Sequence, residues 1–418
     1  MKKLYFLFIF FLIAELCFAD FLVTNRKTSV KSAPSSQSGI VMQLEEGTTL
    51  CLLDDGHQTN NYYKVQSNLF AGEAFIYRTF VRRFTGTPGG ANTCTADVNA
   101  KIEVRVVDVG AGLCTLIKLP DNKYIVYDAG NKSNATMSQI NQFIQPTDKI
   151  ELMVLSHTDA DHIGNAADIL RNYTVKKVVW TGYDRSMTST LAPTGVFTDL
   201  ESELVNHPSI VNINLNHMDS IITPGVQATF GNVKLTFLCG FGEPLAEWGL
   251  SDKAEKINAV SIVMKLEYKG NSVLFCGDAV GRHNGDTDPD ALIATEKYLV
   301  DHASQFLSST ILIAPHHGAD NGSSTDFIEK VNPKKVVFSA GHKFAHPRMT
   351  ATSRYLTFGI NPSSMFRTDR GDDESTNEWD HDRITGCQDN SGDDDIRIEL
   401  LSNGTFSIKY INPVSACE

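Results

Sequence analysis

The stretch Ser156-His157-Thr158-Asp159-Ala160-Asp161-His162-Ile163-Gly164-Asn165 follows directly on an apolar run, Ile150-Glu151-Leu152-Met153-Val154-Leu155. The run reads as a buried strand. Past its end, His157, Asp159, Asp161 and His162 place four metal-ligand side chains within six positions. In extended backbone, residues two apart project from the same side, so His157 and Asp159 face one point. Asp161 is then free to turn toward a second point together with His162, which opens the next helix. The plain alternative is a helix N-cap at Asp161. It accounts for one aspartate and leaves two histidines and the other aspartate unexplained.

Four ligands do not complete two metal sites, and three later strand ends supply more. Leu274-Phe275-Cys276-Gly277-Asp278 ends in a carboxylate whose two oxygens can bridge two cations. Ile311-Leu312-Ile313-Ala314-Pro315 leads into His316-His317-Gly318, and Val336-Val337-Phe338-Ser339-Ala340-Gly341 leads into a loop with His342, His346 and Pro347. Polar groups at the ends of apolar strands are how a rigid sheet presents loops to a common rim.

These residues carry a family resemblance. From about residue 101 to 411 the chain resembles the metallo-β-lactamase superfamily, and within it the extracellular hydrolase domain of the ComEC-type competence proteins. The pieces are, in order, VRVVDVGAGLCTLI, YIVYDAGN, LSHTDADHIGN, NAVSIVMKLEYKGNSVLFCGDA, APHHGADNGSS, SAGHKFAHP and FRTDRG. The chain is also similar to secreted choline-binding phosphorylcholine esterases, which share the HHG and HP segments. The resemblance implies an α+β fold, an αββα sandwich with two divalent metal ions, Zn2+ or Mn2+, at one edge. It implies that His157, Asp159 and His317 hold one ion, that Asp161, His162 and His346 hold the other, and that Asp278 bridges them. Asp161 and His316 are the candidate catalytic residues, with His316 donating to developing negative charge or to the leaving group. Asp128, in the YDAG piece, matches a position that orients the ligand loop; a strand-end turn residue is the alternative.

Two departures bear on the chemistry. Asp159 stands where the general superfamily motif has histidine, and the extra carboxylate shifts preference toward manganese without excluding zinc. Gly110-Ala111-Gly112-Leu113 stands where competence-type proteins usually read Gly-Gln-Gly-Asp, which leaves the substrate open.

The whole chain has 418 residues, a net charge of −12 and 42% hydrophobic residues, which excludes a disordered protein and offers no broad basic face for nucleic acid. Residues 1–19, with Lys2 and Lys3 before an apolar run from Leu4 to Ile13, read as a secretory signal cleaved after Ala19. That run is too short to span a bilayer. The expectation is a secreted or periplasmic protein with no stable membrane insertion after cleavage. Residues 20–84 carry short alternating strands, resemble bacterial SH3-like modules, and suggest a small all-β barrel; a module that contacts the cell wall is one reading and a β subdomain packed on the main one is the other. Residues 85–100 read as a linker and 101–418 as the hydrolase domain. Residues 369–395 read as a solvated acidic loop; a calcium loop is the alternative, and no known calcium-ligand spacing supports it.

Outside the leader, seven of the eight cysteines remain. Cys387 and Cys417 are the preferred disulfide pair, whereas Cys114, Cys239 and Cys276 sit in apolar runs as small buried fillers. The function these features point to is a secreted metal-dependent hydrolase, a phosphodiesterase or nuclease acting through water activated by a dinuclear metal site. Its partner is then a phosphodiester substrate, DNA or a nucleotide. One alternative is a phosphorylcholine esterase or other small-ester hydrolase, for which Trp180, Tyr183 and Trp248 are candidates for an aromatic cage. The other is a non-catalytic cell-surface binding protein.

Overall fold

The computed structural model describes residues 21–53, 56–67, 73–84, 101–217, 220–230, 232–388 and 394–411. The expected leader and linker lie outside these residues. The chain divides into two units, Met1–Ala100 with Ala228–Lys234, and Lys101–Gln227 with Leu235–Glu418.

Two sheets lie mainly in the larger unit. The first has nine strands; its main path runs Val211–Asn214, Lys177–Trp180, Lys149–Leu155, Tyr124–Ala129, Cys114–Lys118, Lys101–Val106, Ile396–Leu401 and Phe406–Tyr410, and Thr174–Val175 pairs with Lys149–Leu155. Its four strands from Tyr124–Ala129 to Val211–Asn214 are mutually parallel. Parallel strands covered on both faces read as continuous apolar runs, and all of Tyr124–Ala129 is buried. The helices Asn134–Phe143, Ala166–Asn172 and Gly195–Asn206 cover one face, packing Ile140, Ile169 and Leu200 onto Val126, Met153 and Val178.

The second sheet has seven strands in the order Val226–Phe230, Val233–Cys239, Val263–Tyr268, Asn271–Phe275, Ile311–Ile313, Lys335–Phe338 and Met365–Arg367, the last four parallel. Helices Ala294–His302, Thr325–Val331 and Met349–Thr357 lie over one side, with Leu299, Phe327 and Tyr355 in the same core as Leu274, Leu312 and Val336. The other faces of the two sheets meet at Tyr127, whose ring lies 5.2 Å from that of Phe275 and whose hydroxyl donates to the Ile262 carbonyl. Helix, sheet, sheet, helix is the layering expected for the unit.

The smaller unit is an eight-stranded sheet around Leu22, Val30, Leu50, Val65, Ala74 and Ile76. Its path runs Ile40–Leu44, Thr28–Lys31, Glu73–Tyr77, Tyr62–Gln66, Thr49–Leu52, Phe21–Thr24 and Val81–Phe84, with Gln58–Thr59 paired to Tyr62–Gln66. The expected closed SH3-like barrel is not found. Among the described residues, no pairing joins Ile40–Leu44 to Val81–Phe84, so the path has two free ends.

Two segments of the larger unit differ from expectation. The apolar run over 258–268 reads as one strand, but Lys253–Ala259 is a helix whose N-cap Asp252 accepts from the Glu255 N–H, and the strand begins at Val263. The capping aspartate ahead of Lys-Ala-Glu-Lys decides it. The acidic stretch from 369 is not a solvated loop throughout: Asp369, Asp372, Glu378 and Trp379 are buried. The reason is Arg367, buried beneath them, whose guanidinium holds Asp369 at 2.7 and 2.8 Å and also donates to Glu378. Cys114, Cys239 and Cys276 are buried free thiols, whereas Cys51 and Cys387 are disulfide-bonded. Cys417, the partner expected for Cys387, lies outside the described residues. No described helix is long and apolar enough to cross a membrane.

Candidate metal centre

Every candidate ligand leaves the C-terminal end of a parallel strand, where open α/β sheets place their ligand sites. Leu155 precedes the turn from His157 to His162, Phe275 precedes Asp278, Ile313 precedes His316 and His317, and Phe338 precedes the loop to His346. Sheet pairing aligns these ends. Phe275 registers with Ile313 and Ile313 with Val337, so three loops open side by side.

Asp278 sits at the middle of the cluster. Its Oδ2 lies 3.8 Å from His157 Nε2 and 3.5 Å from His316 Nε2. Its Oδ1 lies 3.1 Å from His162 Nε2 and 3.4 Å from His317 Nε2. Asp159 Oδ2 is 3.6 Å from His157 Nε2, and Asp161 Oδ2 is 3.8 Å from His317 Nε2. Among the described residues, three groups bring one ligand atom from each member within 4.8 Å of the others, and two of them lie here: His157, His162 and Asp278, and Asp161, His162 and His317. His317 therefore stands with Asp161 and His162, whereas the family pattern puts it with His157 and Asp159. His346 is buried farther out, its ring 6.0 Å from that of His316 and 6.2 Å from that of His317. The third group joins His342, in the loop before His346, to Asp372 and Glu374 of the acidic segment after Arg367. There, both carboxylate oxygens of Glu374 already accept backbone N–H groups, from Lys343 and Ala345.

A set of buried contacts aims the ligands. Asp128 is fully buried, accepts from the Ser156 N–H at 2.6 Å and Oγ at 2.7 Å, and lies 2.8 Å from His162 Nδ1. This pairing leaves His162 Nε2 free for a cation, the usual device for orienting a ligating imidazole. His317 Nδ1 lies 2.7 Å from the Ser339 carbonyl, and His316 Nδ1 lies 2.6 Å from Asn321 Oδ1. Asp128, His316 and His317 have φ of 58°, 49° and 57°. Non-glycine residues in the left-handed region each cost about 1–3 kcal/mol and gather at functional sites. Glycines permit the close approach of loops: a Cβ on Gly341 would lie 2.1 Å from the Gly110 carbonyl carbon, and one on Gly164 would lie 2.2 Å from the Lys132 nitrogen.

The electrostatics suit a cation. Burial alone would raise the Asp278 carboxyl, but His162, His317, His316 and His157 outweigh it and hold Asp278 well below the usual carboxylate range. Burial works to lower His162, yet Asp278 and Asp128 push it well above the ordinary imidazole value; Asp278 likewise outweighs burial at His317. Burial lowers His316, and burial aided by His316 and His317 lowers His346 well below its usual value, so both favour the neutral ring. His157 Nε2 and Asp278 Oδ1 are buried with no hydrogen-bond partner. Buried polar atoms without partners are costly, and a divalent cation between imidazole nitrogens and carboxylate oxygens satisfies them. The donor set fits zinc or manganese.

Residues 107–205, which include the whole turn from His157 to His162, match the sequence model of the Metallo-beta-lactamase superfamily. That match supports the superfamily for this chain. An "Uncharacterized protein YcaI" of Escherichia coli K12 is 30% identical over 95 residues, 23% of this chain; the match spans 11% of that protein's length. Among solved structures, CmlA, a diiron beta-hydroxylase from Streptomyces venezuelae, is similar at 12% identity and a TM-score of 0.37, over 70% of this chain and 55% of its own. Zn(2+)-bound PqqB from Methylobacterium extorquens is similar at 9% identity and a TM-score of 0.39, over 64% of this chain and 97% of its own. The short form of human tRNase Z is similar at 11% identity and a TM-score of 0.33, over 56% of this chain and 91% of its own.

The structure also brings in residues that the sequence reading did not single out. Asn258 has its amide 3.3 Å from His316 Nε2; turned so that both ends find partners, its nitrogen donates to Asp159 Oδ2 at 3.1 Å. Asn321, Ser156 and Ser339 hold ligand or neighbouring rings. Asn321 lies inside APHHGADNGSS and Ser156 and Ser339 end strands, so position was available as a signal, though residue type was not. The proposed cage does not form from its three candidates: Trp180 and Tyr183 are buried core residues, and Trp248 packs its ring 4.9 Å from Phe241.

Proposed function

We propose that the protein is a secreted metal-dependent hydrolase of phosphodiesters, acting on DNA or a nucleotide. One observation carries the reading: Asp278 turns one oxygen toward His157 and the other toward His162 and His317, a bridging arrangement at the junction of two ligand groups. His157, Asp159, Asp161, His162, His317, His346 and Asp278 would hold the ions, which when bound would supply an activated water and offset charge on the attacking and leaving oxygens. His316 has Nδ1 2.6 Å from Asn321 Oδ1 and turns Nε2 toward Asp278 Oδ2 and the Asn258 amide, so Nε2 is the atom that would exchange a proton with the reacting group. Asn258 ties His316 to Asp159 and keeps the ring in place. The disulfide-bonded Cys51 and Cys387 support export, since disulfides persist in oxidising compartments.

The test is hydrolysis of bis-p-nitrophenyl phosphate and single-stranded DNA with manganese or zinc added. Turnover with one of the metals, lost in Asp278→Asn, is expected. No turnover with either metal, while carboxylic esters or lactams are cleaved, overturns the phosphodiesterase reading.

A further inference from the structure

The loop from Gly341 to Pro347 carries an aromatic ring that the metal centre does not use. Phe344 is 44% exposed, a high value for a phenylalanine this close to a buried site, and its ring centroid lies 5.9 Å from that of His346. The ammonium of Lys343 sits 4.7 Å from the Phe344 ring centroid. The backbone on either side of Phe344 is held in place, because Glu374 accepts the N–H groups of both Lys343 and Ala345. Trp379 adds a second tie, its N–H donating to the Pro347 carbonyl at 2.9 Å. An exposed ring is thus fixed at the edge of the histidine cluster with a flexible cation beside it.

We propose that Phe344, with Lys343, is a specificity element that selects phosphodiesters bearing a nucleobase. The inference rests on the phosphodiesterase reading and names its substrate class. Stacking of a base on an aromatic side chain is worth about 1–3 kcal/mol and is tolerant of base identity, and a neighbouring lysine adds attraction for the phosphate. A quaternary ammonium headgroup is the poorer fit. Lys343 already presents a like charge to this ring, and Trp180 and Tyr183 are buried away from solvent. A base that takes the ring face displaces the ammonium, which then turns to the phosphodiester.

Two p-nitrophenyl esters with the same leaving group test this: thymidine 5′-p-nitrophenyl phosphate and methyl p-nitrophenyl phosphate. In the full-length protein with added manganese or zinc, the thymidine-to-methyl ratio of kcat/KM is expected to fall about tenfold in Phe344→Ala, within the stacking range, and to recover in Phe344→Trp. The second readout needs no turnover. Relative to the parent protein, the added emission of Phe344→Trp is expected to be quenched by thymidine 5′-monophosphate and not by methyl phosphate. An unchanged ratio in Phe344→Ala overturns the proposal. If neither ester is cleaved, the phosphodiesterase reading fails and the quenching decides alone: selective quenching keeps Phe344 as a nucleobase contact, and its absence removes it.

Discussion

Asp128 touches no substrate-facing surface, yet three of its contacts fix the ligand turn: the Ser156 N–H, the Ser156 hydroxyl and the ring of His162. Residues that orient a metal-bound imidazole are worth about 10–100-fold in metal affinity or activity. Asp128→Asn is expected to lose that much manganese or zinc affinity by titration calorimetry, with the fold intact by circular dichroism. Unchanged affinity would make Asp128 a turn residue only. Glu374 gives a pH signature. Burial, joined by Asp369, Glu378 and Asp372, pushes its carboxyl up to about 8 from 4.5, despite the opposing hydrogen bond from Lys343. A raised carboxyl pKa means that the folded state binds more protons than the unfolded one between those values, so this group's contribution to stability falls as pH rises through that window. The melting temperature of Glu374→Gln is expected to decline less than that of the parent between about pH 5 and pH 8; parallel declines would contradict the assignment. At this scale the sequence was most legible at His157, Asp159, Asp161, His162, Asp278 and His317, because their spacing and strand-end positions carry the chemistry. It was least legible at Asn258 and at the grouping of His317, which depend on how separate loops fold against one another.

The elements show where pattern reading works and where it stops. The strand Lys149–Leu155 follows from its apolar run and was visible in advance. The acidic segment after Arg367 was not, since composition alone suggests solvent, whereas one buried guanidinium gathers Asp369 and Glu378 beneath the loop. Removing one partner of a buried ion pair costs about 3–5 kcal/mol, so Arg367→Met is expected to lower the melting temperature and expose the 369–388 segment to protease. Equal protease sensitivity in parent and variant would show that Arg367 does not hold the segment. Loop-to-loop contact is equally invisible to pattern. Gly341 stands against the Gly110 backbone, where an added Cβ would lie at 2.1 Å. Overpacking of this kind costs about 1–3 kcal/mol, and Gly341→Ala is expected to reduce both stability and metal affinity. A melting temperature equal to the parent's would show that the loops separate freely.

For the molecule as a whole, the αββα layering came from the family resemblance carried by the motifs, whereas closure of the N-terminal strands was not readable. Alternating strands specify a half-buried sheet, and whether its ends meet depends on pairings that no local pattern encodes. The two sheets of the larger unit bring four strand ends to one edge, so an ion held there would couple its binding to folding. A ligand that binds only the folded state at about 100 times its Kd adds about 2.7 kcal/mol. Removing metal with a chelator is therefore expected to lower the melting temperature by several degrees, and restoring manganese or zinc to recover it. The most direct measurement of the centre is the anomalous scattering of crystals grown with manganese or zinc. The account predicts two peaks about 3.5–4 Å apart, with Asp278 between them, His157 and Asp159 on one side, and Asp161, His162 and His317 on the other. Full-length, folded protein that shows no peak among these residues would contradict it.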